Sequence, residues 1–490
     1  MEKKLNSYMK PMSQTATAIK YAPYGALVMF VVIVASAILI MMVSFAAVKA
    51  LYVIPAVSTA LAIGTFGLTR KDPVLYFVAC TIFLLPIVGL GVPPRAFEIS
   101  VFNVFSSFAA FGMLLRASSY LRHADFKESL FILLAALLLL PSVLKSVDHR
   151  HAAITVLGIC CVYPVLVGFL SFIRQSDGGY QRLNRWIAVA LILVAASIVF
   201  ERITKINLSF TSLNHNAMGE NGIYRAGGFF QDPQKAAQFA SCFGIYFFVL
   251  LLRGAIKDDF VKKLAMLAFF SAFMIHVATV SRAAMLSFAF TGLVAVALVS
   301  GRSFAVRMAA AAVAVLVVVA FLFFSKEIID LLPTSIGARL KHLGEGSAVR
   351  LQIWAESWRI FRKAPWFGIG PGDYQENLMQ DNPLLRMSHM AGGYVPDQPE
   401  SGYLKILYEV GIYGVVIALA VFARFAIGIR RCIVRGGSAR DAGFAVAFTL
   451  IVFAMSFTTL FTVSDPRNLL ILVILGAIIL AFERAPTLKT

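Results

Sequence analysis

The sequence predicts an all-α, polytopic transmembrane helical bundle, and three observations predict it. Hydrophobic residues fill 59% of the 490 positions and charged residues only 14%, whereas soluble domains carry charge at about a quarter of theirs. The apolar residues gather into runs close to the roughly 20 residues that cross a bilayer as a helix. No run has the alternate-residue pattern of a membrane β-barrel.

In chain order the runs fall at approximately 25–46, 51–68, 73–92, 101–115, 129–144, 152–173, 186–200, 235–252, 264–280, 284–300, 308–324, 403–423, 442–463 and 468–482. Several are shorter than a full crossing, which sets the expectation at about 12–14 spans. Residues 1–324 form a bundle that includes an outer loop at 201–234. A second, larger outer loop covers 325–402, and 403–490 return to the membrane. Long connections of this kind are usually functional in a compact protein.

Charge orients the bundle. The net charge is +19. With both termini cytoplasmic, the inner turns hold 25 of the 44 Lys and Arg residues and the outer segments stay near neutrality, as the positive-inside rule requires. The basic residues are spread over many short turns, which argues against a nucleic-acid-binding domain. The basic N-terminal stretch before residue 25 lacks a small-residue cleavage site after a short apolar run, so it reads as leading into an uncleaved first span. Cys80, Cys160, Cys161 and Cys242 lie in expected spans and Cys432 on the cytoplasmic side. No disulfide framework or Cys-based metal site is expected from that distribution.

The larger outer loop has structure written into it. In "SAVRLQIWAESWRIFRKAPWFGIGPGDY", Leu351, Trp354, Trp358 and Phe361 recur at helical spacing, so one helix face is apolar. Such a helix lies on the membrane surface or caps the bundle. Pro365 ends it, because the residue before proline resists the α conformation. The following "GIGPGDY" reads as a turn that folds the loop back, with a backbone phosphate cradle as its alternative; it has neither the spacing nor the preceding strand of a dinucleotide-binding motif.

Two arginines stand on the outer side, Arg225 in "GIYRAGGFFQDPQKAAQ" and Arg282 in "TVSRAAMLS". One interfacial arginine is ordinarily explained by snorkelling. Two beside a large outer loop suit an anionic group, since guanidinium offers a planar fork of donors to phosphate oxygens. Two acids sit in "DQPESGYLKILYEVGIYGVV", where carboxylates beside a bilayer are costly. Glu409 has Lys405 four residues earlier and reads as half of an intrahelical ion pair. Glu400 stands where the loop meets the apolar run. It is placed either to take a proton from a substrate hydroxyl or to cap the helix as a first-turn acid.

Four blocks, "YRAGGFFQDPQKAA", "SRAAML", "RLQIWAESWRIFRKAPWFGIGPGDYQENL" and "ESGYLKILYEVGIYGVV", resemble in content and order the O-antigen ligase and polymerase superfamily of bacterial envelopes. The resemblance spans about residues 215–420. It implies a glycosyltransferase of the bacterial inner membrane whose active site and large, partly helical loop face the periplasm. The implied donor is a polyprenyl-pyrophosphate-linked glycan, with no nucleotide sugar, metal or other cofactor.

The resemblance assigns pyrophosphate binding to Arg225 and Arg282, and Glu400 is the candidate catalytic base beside them. Arg350, Tyr403 and His389 are further candidates for substrate contact. Ligases of the superfamily carry histidine three residues before the tyrosine of the "YL" helix; here Glu400 precedes Tyr403. That departure favours a polymerase joining lipid-linked repeats into O-antigen or exopolysaccharide, with a chain-length regulator as a partner besides membrane lipids. The alternative is a ligase transferring the glycan to lipid A-core, in which His389 supplies the imidazole. A rival from another class is a lipid-linked oligosaccharide flippase. Transporters tend to show internal repeats and midplane ionisable groups, whereas here no repeat joins the two halves and the chemistry lies at the outer rim.

Overall fold

The computed structural model describes residues 78–79, 81–83, 139–146, 162, 165–174, 178–206, 225–230, 232–279, 281–299, 343–381, 387, 401–458 and 466–483. The expected spans at 25–46, 51–68, 101–115 and 308–324, and most of 73–92, lie outside them. The described elements are helical. They are α1 (Leu140–Lys145), α2 (Val165–Arg174), α3 (Gly179–Thr204), α4 (Pro233–Leu252), α5 (Asp259–Thr279), α6 (Arg282–Val299), α7 (Leu343–Lys363), α8 (Tyr374–Asp381), α9 (Gly402–Arg435), α10 (Gly437–Phe457) and α11 (Pro466–Glu483). A 3-10 turn at Gly228–Phe230 precedes α4. Helices α3, α4, α5, α9 and α10 are each long and apolar enough to cross a membrane. The protein is an all-α polytopic membrane bundle.

Helix α4 is its centre, packed by α3, α5, α6 and α10. Phe239, Phe243, Tyr246, Phe247 and Leu250 along it are fully enclosed. Its start is encoded locally: Asp232 is extended and its Oδ1 accepts the N–H groups of Gln234 and Lys235 at 2.8 and 3.3 Å, with Pro233 in the first turn. Aspartate followed by proline is a strong helix-start signal, because the side chain satisfies an orphan donor and proline lacks one.

The two ends of the bundle differ in chemistry. At one end Arg185 pairs with Asp258 at 2.7 Å and Arg253 with Asp441 at 2.8 Å. There Arg424 and Arg431 both bind Glu483, whose side chain is almost fully buried. Arg174 and Arg435 donate to the carbonyls of Leu480 and Phe482, each at 2.8 Å, satisfying acceptors that the last turn of α11 leaves open. These contacts carry α9 well past the end of the expected 403–423 span. Cys432, expected on the cytoplasmic side, belongs to this arginine-rich end. It is buried inside α9, with its Sγ near the Ile479 carbonyl.

At 34 residues, α9 would be about 51 Å long if straight. It is broken at Gly411, where φ is 75° and ψ −166°, a conformation open essentially to glycine alone. A Cβ at Gly411 would lie 2.4 Å from the Trp366 carbonyl oxygen. Gly411→Ala is therefore expected to destabilise the protein by on the order of 1–3 kcal/mol, read as a lower thermal midpoint in detergent or nanodiscs. An unchanged midpoint would mean that the break is not needed.

The chain 364–372 is laid into this break. Ile412 and Tyr413 donate to the carbonyls of Pro365 and Trp366 at 2.8 and 3.2 Å, and Ile369 and Gly370 donate to Tyr408 and Glu409 at 2.8 and 3.1 Å. The Glu409 carboxylate accepts the Gly372 N–H at 3.0 Å and meets Lys405 Nζ at 3.6 Å, both side chains buried. From the first half of the chain, Ser142 donates to the Glu409 carbonyl at 2.6 Å. Glu409 is thus the structural ion-pair partner that its spacing from Lys405 suggests. Gly370 and Gly372 spend their N–H groups on α9 and Gly368 donates to the Ala364 carbonyl at 2.9 Å, so the segment is a folded-back turn and not a phosphate cradle.

Helix α7 forms where the tryptophan spacing predicts it, but its buried face is rotated. Ile360, Phe361, Tyr374, Leu378 and Tyr408 make a small core, with Ile353 beside it and Ser357 enclosed. Of the expected apolar face only Phe361 is inside; Leu351 and Trp358 are 61% and 49% exposed. Sequence spacing identified an apolar stripe, but α7 packs on α9 along the neighbouring one.

Candidate functional site

At the end of the bundle opposite the Arg–Glu483 cluster lie the ends of α3, α5 and α10 and the starts of α4, α6 and α9. Helix α3 stops at Thr204, and a buried pair near its end holds the segment before α4. Glu201 is fully buried and its Oε2 accepts the Gly228 N–H at 2.7 Å; Ser197 Oγ accepts the Phe229 N–H at 3.3 Å. Gly228 has φ +53° and lies so close to α3 that a Cβ would come within 2.5 Å of Ser197 Oγ. The double glycine after Arg225 exists to let this segment press flat against α3.

Arg225, three residues earlier, is buried, and its Nε donates to the Thr279 carbonyl at 3.2 Å. Thr279 ends α5, and Arg282 opens α6. Three residues of extended chain span at most about 11 Å, so the turn that anchors Arg225 is the turn from which Arg282 departs. Beneath it, Ser241 Oγ lies 3.2 Å from His276 Nε2 and 3.3 Å from the Ala284 carbonyl.

The start of α9 belongs to the same end. Ser401 is its extended N-cap residue. Gly402 packs on the Phe457 ring at the close of α10, and Tyr403 donates to the Ala454 carbonyl at 2.8 Å with its ring edge-on to Phe457. One residue away, Ser456 Oγ receives Gln238 Nε2 from the second turn of α4 at 3.0 Å. Through Gln238 and Ser456, Tyr403 is tied to the helix whose approach carries Arg225.

Of the residues that the sequence singles out, Arg225, Tyr403 and the backbone of Arg282 therefore come to one end of the bundle. Arg350 lies in the first half of α7, which packs on α9. Glu400 and His389 lie outside the described residues. Glu201, Ser197, Gln238 and Ser456 escaped the sequence reading. For Glu201 the signal was present, a carboxylate closing an apolar run at the edge of the first outer loop. Single Ser and Gln residues inside apolar helices carry no comparable mark.

Residues 266–419 match the family model Wzy_C, described as O-antigen ligase. This is less than half of the chain. It includes Arg282, Arg350, His389, Glu400 and Tyr403, while the Arg225 segment lies before it. No curated protein matches the chain. From residue 266 in α5 to the middle of α9, through the loop that locks into the Gly411 break, the chain is similar to the O-antigen ligase family.

Proposed function

We propose that the protein is a glycosyltransferase of the bacterial inner membrane that joins polyprenyl-pyrophosphate-linked oligosaccharide repeats at the periplasmic face. The observation that carries the reading is the anchoring of Arg225 on the α5–α6 turn beside the start of Arg282, at the bundle end that also holds the start of α9. The opposite end gathers Arg174, Arg185, Arg253, Arg424, Arg431 and Arg435. That asymmetry supports a cytoplasmic assignment for the arginine-rich end and a periplasmic one for the site.

In this reading a sugar hydroxyl of the acceptor attacks the anomeric carbon of the donor. The bond to the pyrophosphate oxygen breaks, Glu400 takes the hydroxyl proton, and the two guanidinium groups offset the charge left on the pyrophosphate. No acidic residue stands in the first turn of α9, which supports the proton-accepting reading of Glu400 over the first-turn one. Arg350, Tyr403 and His389 are candidate contacts to the glycan.

A ligase is the second reading, favoured by the description of the matched family. Purified protein incubated with its lipid-linked repeat alone separates the two. A ladder of longer lipid-linked products is expected. Transfer only after lipid A-core is added would replace the polymerase by a ligase, and bilayer translocation without any new glycosidic bond would replace both by a flippase.

A further inference from the structure

We propose that the edge formed by Trp366 and Phe367 is embedded in the outer membrane–water interface and fixes the depth at which α7 and α8 sit over the bundle. The argument rests on where the break in α9 falls along the bilayer, and it is independent of the chemistry proposed above.

Beyond Gly411, α9 exposes Ile412, Val416, Leu419 and Ile427 on its surface, an apolar stripe that only lipid covers comfortably. At the far end Arg424 is turned onto the buried Glu483, and the exposed arginines begin at Arg430 and Arg431. Nineteen residues separate Gly411 from Arg430, about 28 Å of helix, close to the roughly 30 Å thickness of the hydrocarbon core. The break therefore coincides with one edge of that core. Residues 402–410, with the buried Lys405–Glu409 pair, lie on the other side of the break from that apolar stretch.

The backbone bonds from Ile412 and Tyr413 to Pro365 and Trp366 pin the 364–372 turn at this level. Trp366 is 67% exposed, and Phe367 lies edge-on to Tyr413 with ring centroids 5.7 Å apart. Their surface continues the stripe of α9 outward. Tryptophan favours this depth because its ring is apolar while its N–H seeks water. Arg362 and Lys363, exposed one turn earlier on α7, are residue types that lie naturally at phosphate level. A carbohydrate-stacking platform is the competing use of an exposed tryptophan; the continuity with the lipid-facing stripe favours the membrane.

The test is fluorescence quenching in nanodiscs, on a chain that retains Trp366 and carries Trp186→Phe, Trp354→Phe and Trp358→Phe. Phospholipids brominated near the headgroup end of the acyl chain are expected to quench Trp366 by about half, more than lipids brominated near the chain terminus. Aqueous iodide is expected to quench it weakly. If the triple variant does not fold, the difference in emission between the natural chain and Trp366→Phe carries the same information with one conservative change. Emission unaffected by either brominated lipid and strongly quenched by iodide would overturn the proposal. So would protection from iodide by added soluble oligosaccharide without any lipid effect, which would assign the ring to glycan.

Discussion

Glu400→Gln is expected to slow glycan elongation by about 10²–10⁴-fold while leaving binding of the lipid-linked donor intact. The amide keeps the size and hydrogen-bonding reach of the carboxylate but does not take up a proton at neutral pH. In the proposed reading donor binding rests on the arginines, so initial rate and donor affinity should separate. A purely structural role predicts the opposite split, a loss of about 1 kcal/mol of stability with turnover preserved in the surviving protein. Glu400→His is the companion variant, because ligases of the superfamily carry histidine at the corresponding position. Partial activity there would mark the position as a proton acceptor. A fully active Glu400→Gln enzyme would end the catalytic assignment and move the search for a base to His389.

Arg225→Lys and Arg282→Lys are each expected to reduce elongation by about 10²–10³-fold at unchanged protein abundance. An ammonium keeps the charge but loses the planar fork that grips two phosphate oxygens together. Arg225→Lys loses more, since lysine has no counterpart of the Nε–H that donates to the Thr279 carbonyl at 3.2 Å. Donor affinity should fall with rate in both variants, unlike the Glu400→Gln result. The measurement is elongation of the lipid-linked repeat by purified protein, with donor binding followed in parallel. Normal product length and rate in both variants would remove the pyrophosphate role.

The sequence by itself determined the class of the molecule, because composition and run length are local properties. Fifty-nine per cent apolar residues leave a membrane bundle as the consistent outcome. The apolar run at 235–252 and the tryptophan spacing of α7 likewise placed helices where the structure has them. The i, i+4 spacing of Lys405 and Glu409 was enough to read their ion pair, since a helix brings those positions together whatever lies around it.

What only the tertiary structure decided depends on groups distant in sequence. Whether α7 buried Trp358 or Ser357 was settled by the shape of α9, which receives Ile360 and Phe361 and leaves the tryptophan outside. The break at Gly411 looked like one more glycine in an apolar run; it has meaning because the carbonyls of Pro365 and Trp366 enter the gap. Charge and order alone set the expectation that Arg225 lies on the outer side. Its seat on Thr279, and the buried Glu201 and Ser197 that hold its segment against α3, required the folded chain. Periodicity reports which face of a helix avoids water, whereas a site is made by backbone carbonyls and single polar side chains, whose partners only packing can supply.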